Sequence, residues 1–167
     1  RLQAQDIHTE FASNVAVTTF ADVVQARDLE AVQIVLSDPH YWGGIRRQQR
    51  LSHTCETLGR GLSMHSNNHG GISLAAMTHL GAAMPNLTHA LDTHYPWQWE
   101  EIITGGRIAI EDGSVALPKV PGLGVELDRA ALARAHAAYV RCGLKERNDE
   151  IEMRKKVPGW KFAATRW

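Results

Sequence analysis

Apolar positions along residues 1 to 94 follow two alternating periods. Short, nearly continuous apolar runs recur between longer stretches in which apolar residues return every three or four positions. The runs fall at residues 7 to 14 (IHTEFASN), 32 to 38 (VQIVLSD), 61 to 65 (GLSMH) and 86 to 94 (NLTHALDTH), each of strand length. Residues 18 to 31, 44 to 59 and 70 to 84 lie between them and read as helices. Thr18 or Thr19 opens the first, and in the second Ile45, Leu51, Cys55 and Leu58 are spaced for one face. The order is β-α-β-α-β-α-β. Strands that are apolar throughout and separated by amphipathic helices are buried on both faces, which predicts an α/β fold with a parallel sheet and right-handed crossovers.

After residue 94 the rhythm changes. Paired glycines and the runs EDG and LPKVPG punctuate residues 95 to 127, and RIAIEDGSVAL within them reads as a hairpin turning at Asp112 and Gly113. Residues 129 to 144 form an alanine-rich helix, and a polar tail with aromatic anchors runs to Trp167. The expected organisation is therefore a βα block over residues 1 to 94 and a second block, hairpin, helix and tail, over residues 95 to 167.

Composition places this pattern in a soluble globular protein: 167 residues, 44% hydrophobic and 22% charged, enough for one domain with a sizeable core. Eighteen Lys and Arg balance eighteen Asp and Glu, so no field draws the chain to nucleic acid or to an anionic membrane. No apolar run approaches the ~18 residues of a membrane span. Cys55 and Cys142 lack CxxC spacing and read as reduced thiols of a cytoplasmic protein. The chain opens at Arg1 without a methionine, so further sequence upstream is expected.

Each strand candidate ends in a polar residue: Asn14, Asp38, His65 and His94. The carboxyl ends of parallel strands line the ligand crevice in such folds, so these four side chains are expected on one rim, with the loop His65-Ser66-Asn67-Asn68 beside them. An Asp near a His fixes its tautomer and raises its basicity, which suits Asp38 and His65 to proton abstraction. Asp38 before Pro39 is also ordinary turn or cap chemistry. The amide oxygen of Asn14 can ligate a hard cation, though not alone. The glycines after the SNNH run allow an anionic ligand to approach a helix N-terminus. His65 and His69 stand four apart, but without the Glu of an HExxH pattern they make a poor zinc motif.

Taken in order, ASN (12 to 14), SDPHYW (37 to 42), MHSNNHGGISLAAMTH (64 to 79), LDTHYPWQ (91 to 98), LPKVPGLGVELD (117 to 128) and GLKERND (143 to 149) resemble the C-terminal half of glucarate dehydratases of the enolase superfamily. The resemblance implies the C-terminal half of a (β/α)8-type barrel with part of an α+β capping domain. It also implies a carbon-oxygen lyase that uses Mg2+ to dehydrate D-glucarate to 5-keto-4-deoxyglucarate. By that resemblance His65 is the general base and Asp38 its dyad partner. Asn14 binds both metal and substrate, and Ser66, Asn67, His94 and Arg147 hold the aldaric acid. The pairing of a His base with Mg2+ in enolase-superfamily sites is itself a general expectation for the class.

A full barrel of this kind takes about 250 residues. The family's Lys-x-Lys motif and two acidic metal ligands precede the segment present here. The resemblance therefore implies a partner in the N-terminal half of the same enzyme, a homo-oligomeric assembly, and inactivity of this chain alone. Two alternatives stay open. One is a related acid-sugar dehydratase or epimerase with another diacid, and the other a catalytically silent relative serving as a binding subunit.

Overall fold

The computed structural model describes residues 9–143 and 148–163. Four strands, β1 (Ala12–Ser13), β2 (Ile34–Ser37), β3 (Gly61–Ser66) and β4 (Asp92–Thr93), pair in the order β1-β2-β3-β4, parallel at every step. Sheet order equals chain order, as in half of an eight-stranded (β/α) barrel. All four C-terminal strand ends consequently lie along one edge. The register sets Val35 beside Leu62 and His65 beside Asp92.

The helices between them are α1 (Phe20–Asp28), α2 (Pro39–Trp42), α3 (Ile45–Thr57) and α4 (Gly71–Ala83). Thr19, not Thr18, caps α1. Its hydroxyl accepts from the Asp22 N–H at 3.2 Å, and the Asp22 carboxylate accepts from the Thr19 N–H at 2.7 Å, a reciprocal capping box. Val23, Leu51, Met77 and Leu80 from the helices meet Val35, Leu62 and Met64 from the strands in one core. Trp42 is buried in it, edge-on to Phe20 with ring centroids 5.4 Å apart. Hydroxyls bridge the sheet's inner rungs: Ser37 donates to the Ser63 carbonyl (3.1 Å) and Ser63 to the Ala90 carbonyl (2.7 Å).

Two expected strands are shorter than their apolar runs. β1 keeps Ala12–Ser13 of residues 7 to 14, whose first two residues lie outside the described chain, and β4 keeps Asp92–Thr93 of residues 86 to 94. Both stand at the ends of the strand order with one neighbour each, whereas β2 and β3 are paired on both sides and run longer. Asp38 is the cap of the unexpected short helix α2. The Asp-Pro pair starts a helix there because proline at the first helical position has no N–H to satisfy.

The chain divides into two compact units, Arg1–Ala131 and Leu132–Trp167. The first extends past β4. Ile103 bridges Leu127, and the predicted turn appears as Asp112 and Gly113 with φ of 48° and 71°, closed by paired hydrogen bonds between Glu111 and Ser114. That conformation suits an Asp-Gly pair, since both central residues take positive φ. α5 (Arg129–Cys142) is opened by Asp128, whose carboxylate accepts from the N–H groups of Ala130 and Ala131, both at 2.9 Å. In the second unit, α6 (Asp149–Lys156) occupies what reads in sequence as polar tail. Its signal is local: Asn148 caps it, acids fill the first turn and Arg154, Lys155 and Lys156 the last, opposing the helix dipole. Among the described residues no helix is long and apolar enough to cross a membrane. Both cysteines are free thiols, and burial pushes that of Cys55 up to about 12, which keeps it protonated and inert.

Candidate active site

His65 stands next to last in β3, and its strand partner across the sheet is Asp92. Side chains at one register position of adjacent strands point to the same face. The His65 Nδ1 accordingly meets the Asp92 carboxylate at 2.7 Å, with the His65 side chain 13% exposed and that of Asp92 56%. His94 sits two residues beyond Asp92, edge-on to the His65 ring at 5.4 Å, and its other side lies against Trp97 at 4.8 Å. Of the residues expected at the rim, His65 and His94 are therefore in contact.

Asp38 is engaged elsewhere in this structure. Its carboxylate, 2% exposed, accepts from the backbone N–H of His40 at 2.7 Å and pairs with the His40 Nδ1 at 2.7 Å. His40 Nε2 in turn meets the Ser73 hydroxyl at 2.9 Å. The geometry thus differs from an Asp38–His65 pair: the imidazole two residues away in the same turn takes the buried carboxylate, and Asp92 takes His65. Asn67 is exposed and donates to the Tyr41 hydroxyl at 3.0 Å. Asn14 is partly buried at the end of β1. Arg147, expected to hold the diacid, lies outside the described residues.

Ser66 turns inward. It is fully buried, with its hydroxyl 3.1 Å from His69 Nε2 and donating to Thr93 Oγ1 at 3.1 Å, while His69 Nε2 is 2.8 Å from that same Thr93 oxygen. Burial, followed by the proximity of His40, depresses the His69 imidazole from 6.5 to about 4, so it is neutral near pH 7. The sign of the linkage follows. Below pH 6.5 the unfolded chain takes up a proton that folded His69 refuses, so this contribution to stability is whole above 6.5 and is lost as pH falls toward 4. Thermal unfolding midpoints should drop over that interval, and His69→Gln should flatten the drop. An unchanged slope in the variant would contradict the assignment.

The helix N-terminus after the SNNH run holds an anion, but one supplied by the chain itself. The Glu101 carboxylate accepts from the Gly71 N–H at 2.8 Å and from the Tyr95 hydroxyl at 2.6 Å, and the Tyr95 oxygen accepts from the Ile108 N–H at 2.9 Å. Burial, then the bond to Glu101, raises the Tyr95 hydroxyl above its usual range. Glycine at 71 allows this approach: a Cβ there would stand 2.5 Å from Ile103 Cδ1 and 2.9 Å from Glu101 Oε2. Gly71→Ala is expected to cost about 1–3 kcal/mol through this overpacking, read as a lower denaturant midpoint. An unshifted midpoint would show that Ile103 and Glu101 move aside freely.

Sequence reasoning missed Asp92, His40, Thr93, Tyr95 and Glu101. Asp92 had a usable signal, because it shares the face of β4 that His94 continues by the period of two. Glu101 had none, being brought to Gly71 across thirty positions of chain.

The described residues test poorly as a complete Mg2+ site. Asn14 supplies one oxygen donor, and among the described residues no three His, Cys, Asp or Glu side chains group to hold an ion. A neutral amide alone does not retain a hard divalent cation.

Comparison with known proteins places this arrangement. Residues 1–131 match the family model described as "Enolase C-terminal domain-like". The chain belongs to the enolase superfamily. It is 52% identical over 151 residues to the probable glucarate dehydratase of Streptomyces coelicolor (strain ATCC BAA-471 / A3(2) / M145), covering 89% of this chain and 35% of that protein. It superposes on the crystal structure of an enolase from Mycobacterium smegmatis str. MC2 155 complexed with formate and acetate. There the TM-score is 0.89 at 49% identity, over 98% of this chain and 39% of that one. A second enolase, from Pseudomonas fluorescens Pf0-1 with bound magnesium, potassium and tartrate, gives 0.87 at 48% identity, over 94% and 37%. The chain thus spans little more than a third of these relatives. The parallel strands and their helices are half of the superfamily's C-terminal barrel, as the sequence pattern predicts.

Proposed function

We propose that this superfamily member acts, together with the barrel half that its relatives carry in addition, as a dehydratase that converts D-glucarate to 5-keto-4-deoxyglucarate. The observation that carries the reading is the His65 imidazole at a strand's C-terminal end, with a carboxylate on Nδ1 and its side chain partly exposed. The 52% identity to a probable glucarate dehydratase supports the substrate class.

A proton α to a carboxylate is weakly acidic, so its removal needs a base already placed and oriented. A carboxylate on Nδ1 fixes the tautomer with Nε2 free, and stabilises the imidazolium once Nε2 has taken the proton. In this structure that carboxylate is Asp92. Asp38, the partner the resemblance implies, is bonded to His40 and would take the place of Asp92 only by exchanging His40 for His65. Protonated His65 then returns a proton to the departing β-hydroxyl, so that water leaves and the keto product follows. His94 faces the same space. Ser66, buried against His69 and Thr93, supports the loop that carries Asn67, and Arg147 is the cation proposed for the distal carboxylate.

Mg2+ is proposed as the cofactor of the assembled enzyme, where it would stabilise the enediolate. Asn14 is the one ligand offered by this chain, so the ion's remaining ligands belong to the other barrel half and the chain alone is expected to be inactive. The test is turnover of a panel of aldaric acids by the assembled enzyme. Preference for D-glucarate supports the reading, and preference for another diacid redirects it to a related acid-sugar dehydratase.

A further inference from the structure

Positive charge is unevenly placed in this chain, although its Lys and Arg balance its Asp and Glu. Arg46, Arg47 and Arg50 crowd the first half of α3, and the first turn of that helix carries no acidic residue. Cations at a helix N-terminus oppose the macrodipole, and like charges three and four residues apart repel. Local rules are broken in this way mostly at functional sites. Arg27 pairs with Asp28 and Arg154 with Glu150, but among the described residues the side chains of Arg46, Arg47 and Arg50 make no ion pair and donate no hydrogen bond. Two of them are nonetheless restrained: the guanidinium groups of Arg47 and Arg50 lie 5.5 and 5.4 Å from the centroid of the Phe20 ring.

Helical spacing sets Arg46, Arg50 and His53 on one face of α3. That face is one wall of a groove of about 320 Å3, and Met84 and Pro85, at the end of α4, belong to the other. Among the described residues no carboxylate lines the groove, although that of Glu56 stands 3.8 Å from His53 Nδ1. The carbonyl pole of α4 offsets part of the positive charge, yet none of its carbonyls accepts from these guanidinium groups. Asn86 accepts from the hydroxyl of Ser52, which also lines the groove, and donates to the Ser52 carbonyl at 2.9 Å, tying α3 to the end of α4. These helices follow β2 and β3, the two inner strands. The other barrel half joins at the open edges of β1 and β4, so closing the barrel does not use this groove.

We infer that Arg46 and Arg50 bind a phosphate dianion in this groove, either inorganic phosphate or the phosphate group of a small monoester. A planar carboxylate saturates one guanidinium fork, whereas a tetrahedral phosphate presents oxygens enough for both. Apolar Met84 and Pro85 give an organic body a surface to lie against, and the groove reaches the lower bound of small-ligand pockets, about 300 Å3. The bound anion neutralises the arginines that oppose the α3 dipole and stabilises the folded enzyme by mass action. Nothing is transferred, and the site stands apart from the proton-abstracting residues at the rim.

The experiment titrates the assembled enzyme with inorganic phosphate at constant ionic strength by isothermal calorimetry, beside a variant carrying both Arg46→Gln and Arg50→Gln. The expected result is one saturable site per chain, with affinity at least about 10-fold lower in the double variant. Both arginines are exposed, so the variant should fold, as circular dichroism checks, and keep whatever turnover the wild type shows. His65→Asn should bind phosphate as the wild type does. No binding, uptake that never saturates, or equal affinity in the double variant each overturns the proposal, and loss of binding in His65→Asn does so by placing the anion at the rim. Glycerol 3-phosphate as a second titrant separates the sources: tighter binding assigns the groove to a phosphomonoester, and equal or weaker binding assigns it to the free ion. None of these readouts is dehydration, so this site and the dehydratase reading stand or fall separately.

Discussion

His65→Asn in the assembled enzyme removes dehydration of D-glucarate altogether, measured as loss of keto-acid product, while leaving the fold intact. Asparagine keeps a polar group at the end of β3 that can still bond to Asp92, but it has no atom that takes a proton near neutral pH. General base catalysis contributes about 10²–10⁴-fold by itself. Here the same imidazole is proposed both to remove the α-proton and to return a proton to the leaving hydroxyl, so its loss affects two steps. Substrate binding should persist, because the carboxylates are held by other groups. Retained turnover in a folded His65→Asn enzyme would remove His65 from the chemistry.

The second large effect is expected from Asp92→Asn. The substitution keeps the shape beside His65 Nδ1 and deletes the charge that stabilises the imidazolium. A fall in kcat on the order of 10²–10⁴ is expected, as for a dyad or triad whose orienting carboxylate is neutralised. Asp38→Asn is the control that separates the two possible dyads. With Asp38 bonded to His40, that variant keeps its kcat. A loss of kcat in Asp38→Asn, and not in Asp92→Asn, would show that Asp38 exchanges His40 for His65 in the assembled enzyme.

The difference between these two carboxylates also shows where the sequence is informative. Period and punctuation locate α1, α3 and α4 to within a few residues, because an apolar face of helical spacing must be buried and Thr19 supplies a cap with a readable pattern. They also bring strand ends to one edge, which puts His65 and His94 together. What they do not fix is the exact end of an edge strand. β4 stops at Thr93 instead of His94, and its register, which periodicity does not set, makes Asp92 the partner of His65. Nor does periodicity reveal which imidazole a buried acid takes. For Asp38 the choice falls on the residue in its own turn, where the same oxygen also accepts the His40 backbone N–H.

Glu101 and Ser66 are instructive for opposite reasons. The expectation of an anion at the start of α4 is sound physics, since two glycines precede free N–H groups. The anion present there comes from thirty residues downstream, and only tertiary packing decides that. Ser66 lies in a loop dense with hydrogen-bonding residues, which suggests a rim position. The strand extends through it, and alternation along β3 turns its hydroxyl inward to His69 and Thr93. That inward network answers why histidine and serine crowd this short stretch: His69 fastens the loop from below, neutral at its depressed pKa of about 4, while His65 remains at the rim.

The most direct test of His65 as base is proton exchange. D-glucarate is incubated in D2O with the assembled enzyme, and loss of the α-proton signal is followed by 1H NMR in wild type and in His65→Asn. The account predicts deuterium incorporation or dehydration through the wild-type base and neither in the variant. Exchange of that proton at an undiminished rate in His65→Asn would contradict it, and would place the abstracting base outside this chain's rim.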